Sequence, residues 1–224
     1  MKFIFELCAR STNEEAEIKH DSLILFLKQI NKPWGIENNI SVPFPGFGKE
    51  ITAICILNKF IGKGIKCLIS YRYRNMLRND PSCDDKIYYE FDLKKVDYKE
   101  LVTDLFPKYI LAFNSYRARI LPEELIYLDF NKSRNKNLRE TIIRFYPVMF
   151  LDNELCARAI KMSPVTVYEK LKGVVEKVEL IGTGIFIIAS FNALSIDDCN
   201  KFDTTIRALL FPTESGTAGS AFSY

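Results

Sequence analysis

The sequence predicts a single α+β domain over residues 1–211, with an antiparallel-rich sheet, several helices packed against it, and a flexible tail from 212 to 224. Three observations carry that expectation. Runs of β-branched and aromatic residues are joined by glycine turns, as in antiparallel hairpins. Helix-start signals recur between those runs. The 224 residues are 48% apolar and 26% charged, ordinary values for a globular chain with a substantial core. No linker, internal repeat or low-complexity tract divides the chain.

Lys2 to Leu7 reads as an opening strand. Ser11 followed by Glu14 has the spacing of a capping box, and Glu14 to Ile30 follows as a helix. Its predicted apolar face combines the row Ile18, Ser22, Leu25 and Gln29 with Ile24, Leu27 and Ile30 beside it. Asn31 and Pro33 stop it, and a loop through Pro43, Phe44, Pro45, Gly46, Phe47 and Gly48 follows. Ile51 to Phe60 and Ile65 to Tyr73 flank Gly62-Lys63-Gly64 as a hairpin, with a helix over 51–60 as the alternative. Lys86 to Leu93 is a further strand. Asp97 with Glu100 opens a helix over 98–113, which Pro107 should end or kink. Thr141 to Leu151 is strand-like, and Asp152 caps a short helix to Ile160. Ser163-Pro164 starts the next helix and Gly173 closes it. Val174 to Leu180 and Ile185 to Ser190 form a hairpin around Gly182-Thr183-Gly184. Ser195 caps the last helix, Ile196 to Leu210.

Composition argues against several chemistries. The single histidine, His20, is the one any Ser-His-Asp or Cys-His arrangement must use, and helical periodicity places it beside Asp21 on the exposed side. No enzyme activity is expected, and a lone histidine leaves out the usual zinc and non-haem iron ligand sets. Gly46-Phe47-Gly48 and Gly62-Lys63-Gly64 lack phosphate-loop spacing. Asp80, Asp84 and Asp85 lack the regular spacing of a calcium loop. No cofactor or metal is therefore expected. The six cysteines are scattered without a C-x-x-C pair, which suits reduced, buried thiols. No signal peptide is visible and no run reaches the roughly 18 apolar residues of a membrane helix, so a cytoplasmic protein without a membrane partner is expected.

The formal charge of +3 neither demands nor excludes nucleic acid. Its distribution is uneven. Asp80, Asp84, Asp85, Glu90, Asp92, Asp97, Glu100 and Asp104 gather in one stretch; Lys132, Arg134, Lys136, Arg139 and Arg144 gather in another. These form either surface patches of opposite sign or ordinary solvated faces. Tyr71-Arg72-Tyr73-Arg74 alternates, so a strand presents both tyrosines on one face. Such a pair can stack on single-stranded nucleic acid, or the tyrosines pack inward while the arginines reach water.

The C-terminal third carries a resemblance. Phe145-Tyr146-Pro147-Val148-Met149-Phe150-Leu151-Asp152 precedes Glu154-Leu155-Cys156. Met162-Ser163-Pro164, a short helix to Gly173, a hairpin ending in Phe186-Ile187-Ile188, and Leu194-Ser195 follow. This order resembles the immunity protein 52 family, cytosolic antidotes encoded beside polymorphic bacterial toxins, over about half of the chain. The resemblance implies a small α+β protein that occludes a cognate toxin domain, often a nuclease, with no catalytic residue to carry over. On that reading Asp80, Asp84 and Asp85 are the expected partner-binding residues, with Tyr71 and Tyr73, because an acidic surface suits a basic nuclease cleft. The alternative is a nucleic-acid-binding accessory protein using the Tyr/Arg strand and the basic segment, although nucleic acid is not the expected partner.

Overall fold

β1 (Lys2–Arg10) is buried on both faces over most of its length, as a central strand is. A computed structural model describes residues 1–46, 52–72 and 79–211. The expected positions Phe47, Gly48, Ile51, Tyr73 and Arg74 and the tail 212–224 lie outside the described residues.

The eight strands are β1, β2 (Ala53–Ile56), β3 (Ile65–Tyr71), β4 (Asp84–Asp92), β5 (Arg117–Pro122), β6 (Val148–Asp152), β7 (Lys177–Ile181) and β8 (Gly184–Ile188). They form one sheet in the order β2-β3-β4-β1-β5-β6-β8-β7, with every neighbouring pair antiparallel. Six helices pack on it: α1 (Ala16–Lys28), α2 (98–112), α3 (Glu123–Ser133), α4 (153–160), α5 (Pro164–Leu171) and α6 (Ile196–Leu210). The α+β expectation holds, as do both hairpins.

Each face of the sheet has its own core. Phe3, Phe5 and Leu7 point to one side, where Leu23 and Leu27 of α1, Trp34, and Phe106 and Tyr109 of α2 meet them. Trp34 lies with ring centroids 5.5 Å from Tyr89 and 5.1 Å from Phe91, edge to face, the geometry aromatic quadrupoles prefer. Ile4 and Cys8 point to the other side, against Leu121, Leu125 of α3, Leu155 and Cys156 of α4, and residues of α5 and α6.

Local chemistry explains the boundaries. Asp97, Asp152, Ser163 and Ser195 each accept a hydrogen bond from a backbone N–H of the first turn they open. Gly182, with φ +55, makes the left-handed turn between β7 and β8. Replacing Ser195 by Ala should cost about 1 kcal/mol in chemical denaturation. A loss too small to resolve would mean that water caps α6 equally well.

Several expectations are corrected. The capping box does not form. Glu15 precedes α1 without a side-chain cap, and the Ser11 hydroxyl instead donates to the Cys83 carbonyl. The face of α1 is rotated, too. Leu23, Ile24 and Leu27 are buried, while Ile18 and Leu25 are exposed. Pro107 does not end α2. A π segment, Leu101–Leu105, immediately precedes the final stretch Phe106–Ala112, and its wider turns relieve the clash a proline ring makes one turn back. The strand expected over 141–151 is confined to Val148–Asp152, because Arg144 turns inward and the Phe145 N–H goes to the Asp203 carboxylate at 2.8 Å. β5 and α3 were not anticipated. The alternation Arg117-Ala118-Arg119-Ile120 and the sequence Pro122-Glu123-Glu124 are the signals that mark them.

Candidate protein-binding face

The residues expected at a partner surface are mostly inside. Asp84 is fully buried, its Oδ2 accepting from the Tyr116 hydroxyl at 2.6 Å and its Oδ1 from Arg139 Nε at 2.8 Å. Asp85 is fully buried on the opposite face, accepting from the Arg72 backbone N–H at 2.8 Å and from Lys19 Nζ at 3.0 Å. Tyr71 is also buried. Of the described residues in that set, only Asp80 is at the surface, where it caps the 3₁₀ turn Pro81–Cys83 by accepting from Ser82 N–H. Strand alternation decides this: at the end of β4 each of two successive carboxylates enters one face of the sheet.

His20 is a second correction, being fully buried rather than exposed. Its Nε2–H donates to the Val42 carbonyl at 3.2 Å and its Nδ1 accepts from the Tyr71 hydroxyl at 3.0 Å. Burial lowers its pKa, so the ring that fits this site is neutral. All six cysteines are free thiols, five of them buried.

The basic stretch is partly taken up inside the protein. Arg139 reaches Asp84, and Arg144 forks onto Asp129 of α3 at 2.6 and 2.9 Å. The Tyr146 hydroxyl also donates to Asp129. Tyr71, Arg139 and Arg144, on which a nucleic-acid reading relied, are therefore committed within the protein; Lys132, Arg134 and Lys136 stay exposed. Among the described residues no group of three His, Cys, Asp or Glu side chains is placed to hold a metal ion, and no helix is long and apolar enough to cross a membrane.

The exposed apolar surface lies elsewhere. Helices α3 to α6 cover one face of the sheet from β1 through β7; among the described residues the core beneath them includes none of β2 or β3, and of β4 only the partly buried Tyr88. There Ile54 and Ile56 are 51% and 60% exposed and Leu68 is 37% exposed. Register aligns Ile56, Leu68 and Tyr88 as cross-strand neighbours on adjacent strands. Together with Asn58, Lys66 and Glu90 they line a shallow groove of about 190 Å³. Glu90 joins Lys66 at 3.0 Å and Lys2 at 2.7 Å, which lowers its pKa chiefly through the Lys2 hydrogen bond. On α3, Tyr127 is 72% exposed; the Lys2 pKa is raised chiefly by its hydrogen bond to Glu90, with Tyr127 a lesser influence. Burial is the main reason the Tyr88 hydroxyl is pushed up to about 12. β2 ends the sheet, pairing with β3 alone among the described residues. Such a surface, aliphatic and aromatic at the centre with ion pairs around it, has the composition of protein interfaces. The signal in the sequence was the alternation of Ala53-Ile54-Cys55-Ile56, which leaves open which pair of side chains faces out.

Farther along the same face, between β1 and β5, lies a charged belt. Glu6 pairs with Arg119 at 2.6 Å, and Arg119 donates to the Tyr146 hydroxyl at 2.6 Å. Burial pushes the Glu6 carboxyl up, but Arg119, Arg117 and Lys86 outweigh it and bring it down to about 2.

No family model matches the chain, and no curated protein matches it. Among solved structures, the fold is similar to that of the Pseudomonas aeruginosa T6SS protein PA0821. The TM-score is 0.56 at 9% identity, over 93% of this chain and 72% of that one.

Proposed function

We propose that this protein is an immunity protein that binds a cognate toxin domain through the open face of β2, β3 and β4 and neutralises it by occlusion. The exposed row Ile54, Ile56 and Leu68, with Tyr88 beside it, carries the reading. Covering it would remove apolar surface from water at about 25 cal/mol per Å². The resemblance of the C-terminal third to the immunity protein 52 family supports the toxin-directed role, and so does a fold shared with a protein named for a T6SS. On this reading the protein acts in the cytoplasm of the producing cell, needs no cofactor, and carries no catalytic group. Asp84 and Asp85 take no part in docking; they hold the fold together.

The test is binding to the toxin domain encoded beside this protein, using the intact chain and the double variant Ile54→Glu/Ile56→Glu. Both side chains are exposed, so the variant should fold normally by circular dichroism. Affinity should fall at least about thirtyfold, on the order of 2 kcal/mol, because a desolvated apolar contact becomes a buried charge. Unchanged affinity would move the interface to another surface. Failure of the neighbouring protein to bind the intact chain would remove the immunity reading itself.

A further inference from the structure

The charged belt opens into a partly enclosed cavity of about 100 Å³ between α3, the segment 138–146, and strands β5 and β6. Its polar side carries Arg117, Arg119 and Arg144 together with the Asp129 carboxylate, which Arg144 holds; its apolar side includes Ile126, Leu138, Ile142 and Met149. The arginines are not neutralised evenly. Arg119 has Glu6, Arg144 has Asp129, and Arg139 nearby has Asp84. Arg117 has no carboxylate partner among the described residues. Its hydrogen bond runs from Nη2 to the Cys8 thiol at 3.4 Å, and its Nε is shut off from solvent without any acceptor. The buried Cys8 thiol stays protonated at ordinary pH, since burial raises its pKa, so it supplies no counter-charge. Register places Lys86 on the far side of Cys8 from Arg117, adding a further cation. Three cations thus act on the single carboxylate of Glu6.

A part-buried guanidinium whose only side-chain acceptor is a thiol is under-compensated, because sulfur accepts weakly and the occluded Nε–H has given up its water. It is what a site for an anion requires. We infer that this cavity binds a carboxylate joined to a small apolar body, the carboxylate accepting from Arg117 and the apolar part lying against Ile126, Ile142 and Met149. A free organic acid and the C-terminal residue of a polypeptide offer the same chemistry. The cavity is separate from the open sheet face, so this inference does not depend on the protein-binding reading.

Benzoate and hexanoate, with benzamide and hexanamide as uncharged counterparts, are the probes for the intact protein. At about 10 mM the acids should raise the melting temperature while the amides do not. Methyl NMR shifts should concentrate on Met149 and Ile142, which locates the ligand without any substitution. Arg117→Met should weaken benzoate binding at least about tenfold, and Arg117→Lys should weaken it less. A peptide ending in phenylalanine with a free carboxylate, compared with its amidated form, distinguishes the two sources; binding of either acid supports the site. Absence of binding by all the acids, equal binding of acid and amide, or methyl shifts away from the cavity would overturn the inference. If Arg117→Met does not fold, the acid–amide comparison and the methyl shifts decide alone.

Discussion

Replacing Asp84 by Ala should destabilise the protein by about 3–5 kcal/mol, a large fraction of the stability of an ordinary domain. The carboxylate is fully buried and holds both Arg139 and the Tyr116 hydroxyl. Burial pushes its own pKa up against the pull of Tyr116 and Arg139, so the pair as a whole adds little net stability. Removing one partner is different. Arg139, only 6% exposed, would then be left as a buried cation. Urea unfolding of Asp84→Ala, Arg139→Met and the double variant would test this. The double variant should be markedly more stable than the sum of the single losses predicts. Strictly additive losses would mean that the two side chains act independently. The pair is also positional, because it ties the irregular chain after α3 to the start of β4, across 55 residues of sequence.

The second large effect is a dependence on acid. In the folded protein Glu6 has a pKa of about 2 against the usual 4.5. A carboxyl group lowered in this way stabilises the fold above its unfolded pKa, and that contribution is lost as the pH falls toward the folded value. The shift corresponds to on the order of 3 kcal/mol, present in full above about pH 5 and lost progressively between about pH 4.5 and 2. Glu6→Gln should remove this component. Its stability should fall less steeply with acid than that of the unaltered protein, and it should be the less stable of the two at neutral pH. Parallel stability curves through that range would show that Glu6 is not the group responsible. Asp129, held low by Arg144 against the effect of burial, contributes to both curves alike and cancels in the comparison.

The contrast between Asp80 and its neighbours Asp84 and Asp85 shows how far the sequence reaches. All three read as a solvated acidic turn, since nothing local distinguishes one aspartate from another. Pairing β4 with β1 and β3 then carried the latter two into the sheet, where Arg139 and Lys19 came from distant parts of the chain to meet them. His20 was misplaced for a related reason. Helical periodicity fixes which residues share a face but not which face turns to the sheet, and the row holding Ile18 and Leu25 was apolar enough to compete.

What the sequence determined by itself is local. Side-chain caps at Asp97, Asp152, Ser163 and Ser195, the glycine turn before β8, and the alternation of the strands all follow from interactions within a few residues, and the α+β class follows from them. Tertiary structure alone decided the strand order, the face of β2 and β3 left without a helix, and the cavity in which Arg117 has no direct carboxylate partner among the described residues. Each of those depends on which distant segments pack together. Whether a charge is paired or a side chain exposed is a property of three-dimensional neighbours, and sequence spacing does not encode it.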